Sequence, residues 1–252
     1  MKNLIFLCIH LLFFITPNFE SRCASTDTLW LITETFVKFG KKDAFEEAES
    51  KNMLNFKKSF SESGFWKAGN SSLSIFALEG LDEPQYIFLT PFKDFASVGN
   101  FFQKKESFEK KFSLKEVQES KALHSMINFS MQSLHSYLNE CSRSSEGNTF
   151  LSEKTPFIHY WVIGITFGNE DVFEKHLKQF FLQNTGAYSI NVWKVLLGAD
   201  NPKYIIMTSA TSKDALEKQI SDLAFIKGSI KDIVRNQREG SAILKQKLCL
   251  FP

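Results

Sequence analysis

Hydrophobic and polar positions fall along this chain in an order that occurs twice. Residues 28–38, TLWLITETFVK, and 157–166, FIHYWVIGIT, are rich in β-branched and aromatic side chains, which predicts strands covered on both faces. Phe-Gly follows each run, at 39–40 and 167–168, and Asp43 or Asp171 then opens a segment with helical spacing. In the later copy Phe173, Leu177, Phe180 and Phe181 stand at i, i+4, i+7 and i+8, one apolar stripe of an amphipathic helix. Apolar runs at 73–78 and 190–197 lead into Gly-x-Asp-x-Pro and out into Tyr-Ile, the pattern of a β-hairpin. Helical regions at about 113–130 and 212–237 come next, and each half closes on a predicted last strand, SLHSYLNEC near 133–141 and AILKQKLCLF at 242–251.

The resemblance between the halves extends to individual residues. LEGLDEPQYIFLT at 78–90 returns as LLGADNPKYIIMT at 196–208, an offset of 118, and FGKKDAFE at 39–46 returns as FGNEDVFE at 167–174, an offset of 128. Two matches in the same order, separated by one gap of ten residues between 46 and 78, indicate a duplicated unit. Both units read β-α-β-β-α-β, so the expected fold class is α+β with two tandem ferredoxin-like repeats. Residues 26–141 form the first repeat, 142–155 a polar linker and 156–252 the second repeat.

This order of elements, doubled in tandem, resembles the dimeric α+β barrel superfamily, which includes antibiotic-biosynthesis-type monooxygenases, haem-degrading enzymes and chlorite-dismutase-like haem proteins. The resemblance covers nearly all of residues 27–252 and rests on topology. It implies that the two sheets pack face to face within one polypeptide as an intramolecular dimeric α+β barrel, with the last strands reaching across.

The N-terminus adds a route. MKNLIFLCIHLLFFIT places one Lys ahead of about a dozen mostly apolar residues and is followed by Pro17-Asn18, the pattern of a secretory signal. Residues 1–25 are therefore expected to direct export, to a periplasmic or secreted destination, with an uncleaved membrane anchor over 3–16 as the alternative. Those residues hold Lys2, Arg22 and Glu20, so without them the 30 basic and 28 acidic residues become 28 and 27. A balance so close to neutral argues against nucleic acid as a partner. Motifs for phosphate loops, CxxC zinc sites, HExxH and GxSxG are missing from the sequence.

Candidate chemistry is sparse. Tyr86 with Thr90, and Tyr204 with Thr208, are spaced by four and share one face of their strands, so they are candidates to line a pocket between the two sheets with hydroxyls, together with Trp161. Core tyrosines with a hydroxyl at a rim give the same pattern. His159 alternates with Trp161 on one strand and Glu34 stands between Ile32 and Phe36 on its counterpart; each is a candidate proton acceptor. The resemblance to chlorite-dismutase-like proteins makes His176 the candidate haem ligand, although that family's flanking pattern is not present around it. Haem is thus the cofactor to test. The Asn, Trp and His set of the haem-degrading branch is not recognisable.

Cys141 and Cys249 fall near the ends of the two predicted last strands and, in an oxidising setting, either bridge the halves or remain two thiols. The lysine-rich FFQKKESFEKKF at 101–112 reads as an exposed helix or loop. The sequence leaves two expectations: an exported ligand-binding or scaffold protein taking a small apolar ligand between the repeats, or a cofactor-independent monooxygenase or haem-dependent enzyme. A homo-oligomer is compatible with either.

Overall fold

A computed structural model of the 252-residue chain describes residues 28–62, 73–80, 85–143, 155–183, 188–198, 202–223 and 230–249. The expected signal segment and nearly all of the expected linker lie outside these residues.

Among the described residues eight strands and five α-helices follow one another as β1 (Leu29–Val37), α1 (Lys42–Glu62), β2 (Ser74–Leu78), β3 (Gln85–Phe92), α2 (Phe95–Glu109), α3 (Leu114–Ser125), β4 (Ile127–Tyr137), β5 (Phe157–Ile165), α4 (Glu170–Gln183), β6 (Ile190–Leu197), β7 (Lys203–Ala210), α5 (Lys213–Asp222) and β8 (Val234–Leu244). All strand pairs are antiparallel and close into one barrel in the order β1-β3-β2-β8-β5-β7-β6-β4. Strands from residues 29–137 lie together as β4-β1-β3-β2, and those from 157–244 as β8-β5-β7-β6. The two groups meet at two seams, β2 with β8 and β4 with β6.

Local sequence explains the turns and helix starts. Gly40 and Gly168 after the first strands adopt φ of 70° and 82°, and Gly80 and Gly198 after β2 and β6 adopt 74° and 92°, a region that costs any side chain with a Cβ. The Asp82 and Asp200 loop residues lie outside the described residues. Ser113 and Glu116 form a reciprocal capping box at the start of α3, and the Ser212 side chain accepts from Ala215 N at the start of α5.

Strand alternation sorts the side chains into an inner and an outer set. Ile32, Phe76, Ile87, Leu89, Ile158, Tyr160, Val162, Trp193, Ile205, Met207, Ala242 and Leu244 fill the barrel from both halves. An eight-stranded barrel has an interior about wide enough for side chains alone, and this one is packed with them. The helices lie outside. Phe173, Leu177 and Phe181 of α4 pack on Trp161, Ile163, Tyr204 and Ile206, as the stripe predicts; Phe45 and Met53 of α1 pack on Ile75, Ala77 and Tyr86.

One expectation changes and two are narrowed. The last strands begin and end earlier than expected, at 127–137 and 234–244, because Tyr137 and Leu244 are followed by short 3-10 turns over Asn139–Cys141 and Gln246–Leu248. The charged run at 101–112 belongs mostly to α2, a helix docked through Phe101 and Phe102 beside Phe92. Of the two outcomes open to Cys141 and Cys249, the structure has two thiols in separate clusters, with no bridge between them.

Candidate functional site

The expected hydroxyls do not face a space between the sheets. Tyr86, Thr90, Tyr204, Thr208 and Trp161 are all buried on the outer face, beneath helices, because the inner positions of their strands belong to Ile, Leu and Met. The Tyr204 hydroxyl donates to Glu174 Oε1 of α4 at 2.8 Å, and the Thr208 hydroxyl makes contacts of 2.6 Å with Gln219 Oε1 of α5 and 2.9 Å with Ser189 O. Tyr86 repeats the first arrangement, donating to Glu46 Oε1 of α1 at 2.8 Å. Phe45 and Phe173 pack against the two tyrosine rings at 4.8 Å and 4.7 Å between centroids.

The Tyr86–Glu46 network borders an open pocket. A cavity of about 510 Å3 lies at the β2–β8 seam, lined by residues that include Ala77, Leu78, Ile243 and Leu244 as an apolar floor, with Lys42, Lys245, Gln85 and Tyr86 as polar groups. The Lys245 ammonium pairs with Glu46 Oε1 at 2.7 Å, and Glu79 at the rim pairs with Lys213 at 2.7 Å. Burial pushes the Glu46 carboxyl up, but the Lys245 ion pair and the Tyr86 hydroxyl together hold it below the usual carboxylate range. Burial, reinforced by the Glu46 carboxylate, drives the Tyr86 hydroxyl upward, so it remains a neutral donor. At the equivalent place in the second half Lys194, which also sits over the Tyr204 ring, pairs with Glu174 at 2.9 Å.

Glu34 does face the barrel interior. Gln85 Nε2 donates to its Oε2 at 2.9 Å and Arg238 Nη2 approaches its Oε1 at 2.5 Å, so the carboxylate joins β1, β3 and β8 across the halves. Because Gln85 also lines the pocket, Glu34 is one hydrogen bond away from it. His159 lies on the outer face, its Nδ1 2.9 Å from Ser241 Oγ and its ring 4.4 Å from Trp161. Burial lowers its pKa against the opposing pull of Glu239, which keeps the imidazole neutral. His176 is half-buried on α4, whose apolar stripe faces the outside of the barrel. The structure therefore separates Glu34, His159 and His176 instead of bringing them together.

Haem, the cofactor implied by the resemblance, requires an axial side chain beside a space large enough for the macrocycle. The pocket is lined by no histidine, cysteine or methionine. His159 and His135 are packed among side chains at 6 % and 0 % exposure. Neither the pocket lining nor these two histidines fit haem. Among the described residues no cluster of His, Cys, Asp and Glu suits a metal ion either.

Sequence reasoning missed Glu46, Lys42, Lys245 and Arg238. Glu46 and Glu174 were visible as the last residues of the FGxxDxFE echo, but their shared partner could not be read from it. Lys245 and Arg238 carry no such signal, since they act on residues more than a hundred positions earlier.

No protein-family profile matches the sequence, and no curated protein resembles it significantly. Solved structures do resemble the fold. A proposed monooxygenase from Fusobacterium nucleatum is 14% identical over 87% of this chain and 93% of its own, with a TM-score of 0.57. Chlorite dismutase from Candidatus Nitrospira defluvii is 10% identical over 87% and 93%, with a TM-score of 0.52. A haem-binding protein from Thermus thermophilus is 8% identical over 88% and 92%, with a TM-score of 0.52. At these identities the likeness concerns architecture, and the architecture is common to all three and to this chain. The chain has the fold of a dimeric α+β barrel, with the eight strands of its barrel supplied by one polypeptide.

Proposed function

We propose that this chain binds a small amphipathic molecule with an anionic or strongly polar head in the pocket at the β2–β8 seam. The observation that carries the reading is the composition of that cavity: Ala77, Leu78, Ile243 and Leu244 as apolar lining beside Lys42, Lys245, Gln85 and Tyr86. Concave, mostly apolar sites with a few placed polar groups are how small ligands are held. Lys245 is oriented by Glu46, so its position is set before a ligand arrives.

The test is calorimetric titration with octanoate, with octanol as the uncharged control. Saturable octanoate binding, weaker octanol binding and loss of both in an Ala77→Trp variant that keeps its circular dichroism are expected. Octanoate binding unchanged in that variant, or absent from the native chain, overturns the assignment.

A second reading is an enzyme. It draws on the neighbouring structures, described as a monooxygenase, a chlorite dismutase and a haem-binding protein, and on the single hydrogen bond that connects Glu34 to the pocket through Gln85. Oxygen consumption abolished by Glu34→Gln would support it. A Soret band lost in His176→Ala would support the haem form, against the poor fit described above.

Two further elements belong to the same reading. The chain is taken as a tandem duplication of a ferredoxin-like unit, 26–141 and 156–252. Its support is that β5 follows β1 by 128 residues, β7 follows β3 by 118, and both strand groups share one order. Export through residues 1–25 rests on their composition; N-terminal sequencing of the exported chain would test it. No helix among the described residues is long and apolar enough to cross a membrane.

A further inference from the structure

On the outer face of the barrel His159 of β5 and Ser241 of β8 are directly opposed in the strand register, and His159 Nδ1 lies 2.9 Å from Ser241 Oγ. Glu239, two residues back on β8 and so on the same face, has its Oε2 3.9 Å from Nε2, the other ring nitrogen. A hydroxyl, an imidazole and a carboxylate thus stand in one row, held by two adjacent strands and by no loop.

Burial and tautomer both suit this row to proton transfer. His159 is buried, Ser241 is half-buried and Glu239 is exposed. The Trp161 ring, 4.4 Å away between centroids, packs against the imidazole edge to face. Nε2 is buried and makes no hydrogen bond among the described residues. A bare lone pair there would face the Glu239 carboxylate, so the ring hydrogen belongs on Nε2 and Nδ1 accepts from the Ser241 hydroxyl. Burial keeps the ring neutral, the state a base requires.

The row also borders the pocket. Ile243, part of the pocket lining, follows Ser241 by two residues on the same face, about 7 Å along the strand. Glu79, also in the lining, donates its backbone N–H to Ser241 O at 2.9 Å, and its carboxylate pairs with Lys213 at 2.7 Å.

We propose that Ser241 is a nucleophile that takes the acyl group of an amphipathic ester held in the pocket, with His159 as its general base and Glu239 as a positioning residue. The substrate class rests on the pocket reading above, whereas the Ser241–His159 pair stands without it. Ser241 Oγ attacks the ester carbonyl carbon and its proton passes to His159 Nδ1; the C–O bond then breaks and the alcohol leaves with that proton. A water molecule next gives a proton to the same nitrogen and attacks the acyl carbon; the carboxylic acid leaves and Ser241 regains its hydrogen. The imidazolium formed in each step is stabilised by Glu239, as an acid orients histidine in a catalytic triad.

The experiment uses the full chain and diisopropyl fluorophosphate, a small probe of activated serines that needs no apolar pocket. One diisopropylphosphoryl group should add to the intact mass and map to Ser241. Ser241→Ala should take none, and His159→Gln should slow labelling at least tenfold. p-Nitrophenyl octanoate should be hydrolysed with a kcat/KM at least tenfold above that of p-nitrophenyl acetate. Glu239→Gln should lower kcat and leave KM in place, a split that loss of folding would not produce. No label, a label on another residue, or a rate indifferent to His159→Gln overturns the nucleophile. A label at Ser241 with both esters cleaved alike overturns the substrate class. Octanoate titration of the native chain decides the pocket by itself, so the two failures are distinguishable. Circular dichroism of each variant separates lost chemistry from lost folding.

Discussion

The Tyr86 hydroxyl donates to Glu46 Oε1 at 2.8 Å, joining the two sequence echoes in space. Glu46 closes FGKKDAFE and Tyr86 lies inside LEGLDEPQYIFLT, and the counterpart pair Tyr204 and Glu174 meets at the same distance. The recurrence of both motifs thus has one physical cause: a strand tyrosine and a helix glutamate that fix α1 or α4 on the barrel.

Removing one hydroxyl should therefore cost both halves alike. Tyr86→Phe and Tyr204→Phe are each expected to destabilise by about 1.5–3 kcal/mol, the range for a hydrogen bond to a charged acceptor. The two sites share no partner, so the double variant should be additive in urea denaturation. Only Tyr86→Phe should also weaken octanoate binding, since only Tyr86 lines the pocket.

Glu49 of α1 is buried and its pKa is pushed up to about 7, chiefly by burial, while Asn52 and Lys105 oppose the shift. An acid raised in the fold retains a proton that the unfolded chain has released, so stability falls as pH rises from about 4.5 to 7. Glu49→Gln should remove that slope and stabilise the chain above pH 7 by up to about 3 kcal/mol. Thermal unfolding across this range is the measurement.

His135 has the opposite sign. Burial alone lowers its pKa to about 3, and its Nε2 lies 2.7 Å from Ser133 Oγ. A histidine depressed in the fold binds its proton only on unfolding, so stability falls as pH drops below about 6.5 toward 3. Between 4.5 and 6.5 the two groups oppose each other. Glu49→Gln should uncover the acid-side loss in that window, and His135→Leu should reverse its slope.

Gly80 and Gly198 occupy matching positions, yet their replacement should differ. Both have positive φ, which by itself costs alanine about 1 kcal/mol. A Cβ at Gly80 meets nothing within 4 Å, whereas at Gly198 it would stand 2.8 Å from Gln132 O and 3.1 Å from Ser133. Gly198→Ala should cost at least about 1 kcal/mol more than Gly80→Ala, read from urea midpoints.

The two thiols should also behave differently. The Cys141 thiol is pushed up to about 11, first by burial and then by Glu174, and only 2 % of the residue is exposed. Cys249 is half-buried against Ile75. Iodoacetamide at pH 8 should label Cys249 first and Cys141 only on unfolding. The mass of a chain spanning residues 26–252 should not change on reduction.

Much of this architecture was present in linear order. Alternation, the helical stripe through Phe173 and Phe181 and the Phe-Gly turns are properties of neighbouring residues, so they define the strands, α4 and the glycines with positive φ without knowledge of contacts. The repeat offsets also predicted that β3 and β7 would match. The starts of β4 and β8 were misplaced because both stretches are exposed in the folded chain, so burial did not give them the continuous apolar alternation that marks the other strands.

Which face of a strand looks inward was decided only by closure of the barrel. Period two puts Tyr86 with Thr90 and Ile87 with Leu89 on opposite faces but assigns neither face a direction, and both faces here are buried. The aliphatic set went inward because an eight-stranded interior has room for packed hydrocarbon and little water to serve hydroxyls. Tyr86 and Tyr204 went outward, where helix carboxylates accept from them. The pocket required tertiary structure for the same reason: Lys42, Tyr86 and Lys245 become neighbours only when β8 of one half is laid against β2 of the other, and no local pattern encodes that seam.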